Sequence, residues 1–141
     1  MNGFLVDTNI LSELTRPQPE AHVEDFLRRS KDRVFVSVLA IGEIRKGIAA
    51  LPMSNKRADL EDWLDNEIRP WFRDRILPVT LAIAERWGDL AGQMKTAGRP
   101  RPVLDALIAA TALEHDLVVV TRNGKDYEGL SVTLLNPWDA L

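Results

Sequence analysis

The sequence contains no cysteine, so a disulfide framework and a thiolate metal centre are both excluded. Only two histidines are present, His22 and His115, which excludes a histidine-rich zinc site as well. Any metal must then be held by oxygen, and that points to magnesium or manganese. An excess of positive charge is also missing. The 18 Lys and Arg are outnumbered by 21 Asp and Glu, for a net charge of -3. A protein that grips nucleic acid by bulk charge has the opposite balance, although a local basic rim is compatible with this one. No apolar run approaches the length of a membrane span, since the longest are interrupted at Ser37 and Asp105. The first residues hold no basic stretch leading into an apolar run. No signal peptide is therefore expected, and a cytoplasmic protein is. Internal repeats, low-complexity tracts and linkers are absent too, so residues 1–141 read as a single domain.

What is present is an ordinary globular composition. The 141 residues are 45% hydrophobic and 28% charged, enough to bury a core and too apolar for disorder. Short apolar runs alternate with longer segments of helical period. Residues 3–6, 33–36, 75–79, 117–120 and 131–134 read as strands. Pro78 places the third of these at a sheet edge, and Leu117-Val118-Val119-Val120 reads as a central buried parallel strand. The intervening helices are expected from about Asn9 to Thr15, from Pro19 with Val23, Phe26 and Leu27 inward, and from Val38 to about Leu51 behind a Ser37 cap. Further helices are expected over 54–72 with a Leu60, Trp63, Leu64 and Ile68 stripe, from a Thr80 cap to about Ala97, and from Pro102 through Ala112. Strands alternating with helices mean an α/β sandwich of three layers around a parallel sheet of four to five strands. In such sheets ligands sit beyond the carboxyl ends of the strands, where strand order reverses.

Three acids fall at those positions. Asp7 ends "FLVD", directly after the first strand. Glu43 lies on the helix after the second, at the edge of its apolar stripe. Asp105 lies in the first turn of the helix before the fourth strand, on its core side. Taken singly, each has a structural reading: Asp7 as an N-cap, Asp105 as a favourable charge at a helix N-terminus, Glu43 as a stripe-edge residue reaching water. Taken together they gather like charge at one end of one sheet, and a divalent cation resolves that conflict. The segment Thr121-Arg122-Asn123-Gly124-Lys125-Asp126-Tyr127 follows the fourth strand and opens as a polar turn at Thr121. Asn123 or Asp126 offers another oxygen there, while an Asn-Gly turn is the plainer reading of Asn123. His115 reads as a cation at a helix C-terminus. Trp63, Trp71 and Trp87 lie on helical stripes and read as core or interface residues rather than base-stacking platforms.

The combination "FLVDTNILSEL", "VFVSVLAIGEIRKGI", "RPVLDALIAATALEHDLVVVTRN" and "KDY" resembles the PIN-domain ribonucleases, and more narrowly the toxin subunits of VapBC and FitAB toxin–antitoxin modules. The resemblance runs from Phe4 to about Leu134. It implies a PIN-like fold and an acidic pocket binding Mg2+ or Mn2+. It also implies endonucleolytic cleavage of RNA by a metal-activated water, leaving a 5′-phosphate and a 3′-hydroxyl. Asp7, Glu43 and Asp105 become the catalytic and metal-binding acids. Thr8 and Thr121 become hydroxyls that orient the acids or a water, and Asn9 holds the turn in shape. Many relatives carry a fourth acid where Asn123 stands here, so Asn123 and Asp126 are supporting residues. Arg45, Lys46, Arg99, Arg101, Arg122 and Lys125 flank the site and are candidates for guiding RNA phosphates. The implied partners are the RNA substrate, a small antitoxin that fills an apolar groove and plugs the acidic pocket, and a second copy in a homodimer, with no membrane. A PIN nuclease of RNA processing is the alternative. A phosphatase with an aspartyl nucleophile is disfavoured, because the position two residues after Asp7 is Asn9.

Overall fold

The computed structural model describes residues 2–139. Its sheet is built from β1 (Gly3–Val6), β2 (Val34–Ser37), β3 (Ile76–Leu77), β4 (Leu117–Val120) and β5 (Leu134–Leu135). All pairings are parallel, in the order β3-β2-β1-β4-β5. The helices are α1 (Thr8–Glu13), α2 (Ala21–Arg29), α3 (Val38–Ala49), α4 (Asn55–Trp63), α5 (Arg69–Phe72), α6 (Leu81–Thr96) and α7 (Val103–His115). Side chains alternate across a strand, and the two faces of β1 serve two cores. Val6 joins Val34, Val36 and Val120 against Ile10, Leu11, Val23 and Phe72. Leu5 joins Leu117 and Val119 against Ile83, Leu90, Met94 and Ile108. This is the expected three-layer α/β/α sandwich. Strand order runs outward from β1 through β2 to β3, then resumes on the other side with β4 and β5. The reversal therefore lies between β1 and β4, where Val6 pairs with Val120.

Several boundaries depart from the sequence reading. β1 rather than β4 is the middle strand, and β4 is interior between β1 and β5. Helix α1 starts at Thr8 because Asp7 supplies the cap. Helix α2 starts at Ala21 rather than Pro19, with Glu20 at its N-cap. Strand β2 is shifted by one residue, because Arg33 closes a 3-10 turn before it. Helix α3 ends at Ala49. The single helix expected over 54–72 is three pieces: α4, a π turn over Leu64–Ile68, and α5. Pro70 has no N–H to give to the Asn66 carbonyl, and its ring crowds that oxygen. The chain widens instead, and Arg69 donates its N–H to the Leu64 carbonyl. Strand β3 stops at Leu77, before Pro78, and does sit at the edge. Helix α7 continues to His115 and ends on Asp116 in the left-handed conformation, φ 54°. The last strand is Leu134–Leu135, not 131–134. Ser131 has a φ of 62°, which a β-strand does not accept. The caps at Ser37 and Thr80 form as expected, accepting from the N–H groups of Leu39 and Ile83 at 3.0 and 3.3 Å. Trp63 and Trp71 pack against the first core and Trp87 against the second, in line with their stripe positions.

One acid outside the expected set is buried. Glu13 ends α1, and its Oε2 accepts the Glu20 N–H at 2.8 Å, which closes the turn into α2. That N–H is the main reason its carboxyl lies below the ordinary range. Burial opposes it, and Arg16 and Arg122 add to it.

Gly3 opens β1 against the backbone of the 3-10 turn that leads into β2. A Cβ there would stand 2.5 Å from the Arg33 carbonyl oxygen, a backbone atom with no rotamer to escape into. Gly3→Ala is expected to destabilise the chain by about 2 kcal/mol, read as a fall in Tm of about 5 °C. An unchanged Tm would mean that β1 and β2 separate here without cost.

Candidate active site

Asp7 stands at the β1–β4 reversal. Its N–H donates to the Val120 carbonyl at 2.9 Å, so the residue is pinned to the end of β4 as firmly as to β1. Its backbone is extended (φ -77°, ψ 164°), and its carbonyl accepts the Ile10 N–H. The carboxylate divides its work between two oxygens. Oδ1 accepts the Thr8 N–H at 2.8 Å, which makes it the N-cap of α1. Oδ2 accepts two hydroxyls, Thr121 Oγ1 at 3.0 Å and Tyr127 Oη at 2.9 Å. The cap and the site are therefore the same residue.

Thr121 is buried directly after β4. Its hydroxyl oxygen accepts from Asn9 Nδ2 and from the Asn123 N–H, each at 3.1 Å. Asn9 Oδ1 in turn accepts the Arg122 N–H at 3.2 Å. Asn9 thus stitches the start of α1 to the turn after β4, which is the shape-holding role expected of it. Thr8 turns the other way. Its hydroxyl donates to Glu43 Oε1 at 2.8 Å and aims that carboxylate from α3 toward Asp7's end of the sheet. Thr8, Glu43, Ser12, Gly47 and Trp63 line a small groove of about 180 Å³ beside it.

Asp105, in the first turn of α7, is half-buried, and no hydrogen bond reaches its carboxylate among the described residues. Burial pushes its carboxyl up to about 6. The charges of Asp7, Asp126 and Glu43 push it the same way, and only Arg101 opposes them. Asp126, in the 3-10 turn after β4, is thus among the charges that act on Asp105. Asn123 contributes its backbone N–H to Thr121, and its side chain is exposed. Among the described residues, no three Asp, Glu or His side chains already stand close enough to share one ion. The donor set is nonetheless all oxygen, with surplus negative charge on a partly desolvated member, and that chemistry suits a hard divalent cation.

The basic residues are placed less uniformly. Arg101 lies at the site, donating through Nε to the Glu128 carbonyl at 3.1 Å and acting on Asp105. Arg99 faces Glu128 at 3.8 Å. Arg45 is engaged with Asp65 at 2.5 Å, and Arg122 lies over the Trp138 ring at 5.0 Å. Lys46 and Lys125 are exposed. Tyr127, which touches Asp7, was missed by the sequence reading. The one available signal is that it is the only tyrosine of the chain, next to an acid in "KDY", and a buried phenol needs a partner for its O–H.

Comparison with known proteins agrees with this geometry. The family model described as "PIN domain" matches residues 4–130. Toxin FitB of Neisseria gonorrhoeae is 36% identical over 136 residues, covering 96% of this chain and 98% of that protein. The VapC ribonuclease Y4jK of Sinorhizobium fredii is 32% identical over 137 residues, covering 96% and 98%. The solved structure of FitAB bound to a DNA fragment superposes with a TM-score of 0.89 at 34% identity, covering 98% of this chain and 97% of that one. With this family match over most of its length and its parallel sheet, this chain belongs to the PIN-domain family.

Proposed function

We propose that this protein is a metal-dependent endoribonuclease and the toxin of a toxin–antitoxin pair. The observation that carries the reading is the setting of Asp7, held at the β1–β4 reversal by three donors and by no basic side chain among the described residues, with Glu43 tied to the same turn through Thr8. Burial, and then the charges of Asp7, Asp126 and Glu43, raise the carboxyl of half-buried Asp105. Such a cluster is a poor structural element and a good cation site. Asp7, Asp105 and Glu43 would hold Mg2+ or Mn2+, with Asp126 beside them. A bound cation of this kind supplies a nucleophile at neutral pH and neutralises charge on a scissile phosphate. The chain's own part is orientation. Thr8 aims Glu43, Thr121 and Tyr127 hold Asp7, and Asn9 locks the two loops together. Arg101, already at the site, is the cation best placed to meet an RNA phosphate, with Arg99 beside it on Glu128. The relatives named as a toxin and as a ribonuclease support the same reading. The partner would be an antitoxin. An apolar groove of about 460 Å³, lined in part by Leu11, Leu14, Leu27, Trp63, Trp71 and Phe72, is of the kind such a partner fills.

Purified protein on end-labelled RNA tests the activity. Cleavage is expected with Mg2+ or Mn2+ and none with EDTA. Asp7→Asn is expected to lower the rate at least about 100-fold, about 2.7 kcal/mol of barrier. Equal cleavage by Asp7→Asn would place the activity elsewhere.

Asp105 also affects stability when no cation is bound. Its carboxyl is raised from 3.8 to about 6, so the folded chain binds this proton more tightly than the unfolded chain. Stability must then fall as pH rises from about 4 to about 6, and stay lower above that. Discounted for its partial exposure, the penalty is about 1 kcal/mol. Asp105→Asn is expected to raise the Tm of EDTA-treated protein near neutral pH by roughly 3 °C. The gain should shrink as pH drops through about 5. Thermal melts across this range check it, and a lower Tm for the variant near neutral pH would refute the crowded-acid picture.

A further inference from the structure

Tyr127 is 2% exposed and closes the 3-10 turn Gly124–Tyr127. Its ring sits in the apolar cluster with Ile83, Met94, Ile108 and Leu130. A phenylalanine would fill that space equally well. What the phenol adds is one bond, from its hydroxyl to Asp7 Oδ2 at 2.9 Å. The direction of that bond is fixed, because an ionised carboxylate only accepts.

The direction of the Thr121 bond is fixed as well. Its hydroxyl oxygen already accepts two N–H donors, from Asn9 and Asn123. Its hydrogen is left for Asp7 Oδ2, 3.0 Å away. Oδ2 therefore receives two O–H donors, which occupies both of its lone-pair directions. Oδ1 receives one donor, the Thr8 N–H. One lone pair of the carboxylate remains open, and it is on Oδ1.

We propose that Tyr127 is a positioning residue which, with Thr121, closes Oδ2 so that Asp7 can meet a divalent ion through Oδ1 alone. This rests on the reading of Asp7 as a metal ligand. A single, rigidly aimed oxygen suits Mg2+ and Mn2+, which demand near-ideal octahedral geometry. Ca2+ takes carboxylates with both oxygens and tolerates irregular shells. The phenol thus contributes to metal choice as well as to metal affinity. Removing it opens one side of Oδ2 to an ion and leaves the carboxylate held by two donors, Thr121 and the Thr8 N–H, instead of three.

Calorimetric titration of wild type and Tyr127→Phe with Mn2+, Mg2+ and Ca2+ tests this without relying on turnover. The variant keeps the ring, and its Tm confirms that it folds. Its Mn2+ affinity should fall about 10-fold or more, the usual effect of removing a group that holds a metal ligand. The preference for Mg2+ over Ca2+ should narrow at the same time. A second measurement uses the wild type alone. Tyr127 is the only tyrosine, so a ring-13C tyrosine label gives one Cζ resonance. That resonance should shift on adding Mg2+, as the acceptor of its hydrogen bond loses charge to the ion. Unchanged Mn2+ affinity and metal preference in Tyr127→Phe, in a protein that still cleaves RNA with metal, would overturn the positioning role and leave the nuclease reading standing. A wild type that binds no divalent ion and gives an unmoved Cζ resonance would overturn both.

Discussion

One carboxylate governs this end of the molecule. Asp7 directly follows the middle strand of the sheet, and among the described residues no salt bridge reaches it. Its charge is held by three donors from three places in the chain: the first residue of α1, the residue after β4, and the 3-10 turn beyond it. An ionised group taken from water must be solvated by something, and here the protein supplies fixed dipoles rather than a counter-ion. This choice binds α1, β1 and β4 into one rigid unit. It also leaves the charge itself uncancelled, and the neighbouring Asp105 carries the consequence.

Burial first, and that uncancelled charge second, set Asp105 apart. Glu43 is paired with a hydroxyl and Asp7 with three donors. Asp105 has burial and repulsion, and its proton is held up to about 6 as a result. Holding that carboxyl in place costs the fold stability once it ionises. Basic side chains do not solve the problem from within. Arg45 and Arg99 are turned to other acids, and Arg122 stacks on Trp138. Only Arg101 moderates the field at Asp105, and it does so while tied to the Glu128 carbonyl.

What was legible in the sequence follows the range of the interaction that decides it. Local chemistry reads directly. The apolar runs of β1, β2 and β4, the Ser37 and Thr80 caps, and the Pro78 edge all depend on neighbours within a few residues. Asp7 and Asp105 stand out by position, one directly after a strand and one in the first turn of a helix, whereas Glu43 stands out only by lying at the edge of the α3 stripe. The helix over 54–72 was misread because its stripe is regular while Pro70, near its C-terminal end, breaks its hydrogen bonding. The last strand was misplaced because nothing in "EGLSVTLL" announces that Ser131 turns left-handed. Tyr127 was invisible for a different reason. Its partner is 120 positions away, and its role exists only once β1 and β4 are neighbours.

The same distance dependence bears on how the site assembles. Thr121 and Tyr127 reach Asp7 across 114 and 120 residues, and Asn9 reaches Thr121 across 112. Thr8 reaches Glu43 across only 35. The Thr8–Glu43 half can therefore form as soon as β1, β2 and α3 pack, and the Asp7 clamp must wait for β4 to dock beside β1. Loop closure rises only slowly with length, so the delay is set by β4 docking rather than by the bonds themselves. The clamp on Asp7 is thus a product of the β1–β4 pairing, and a substitution that loosens β4 from β1 loosens the clamp with it.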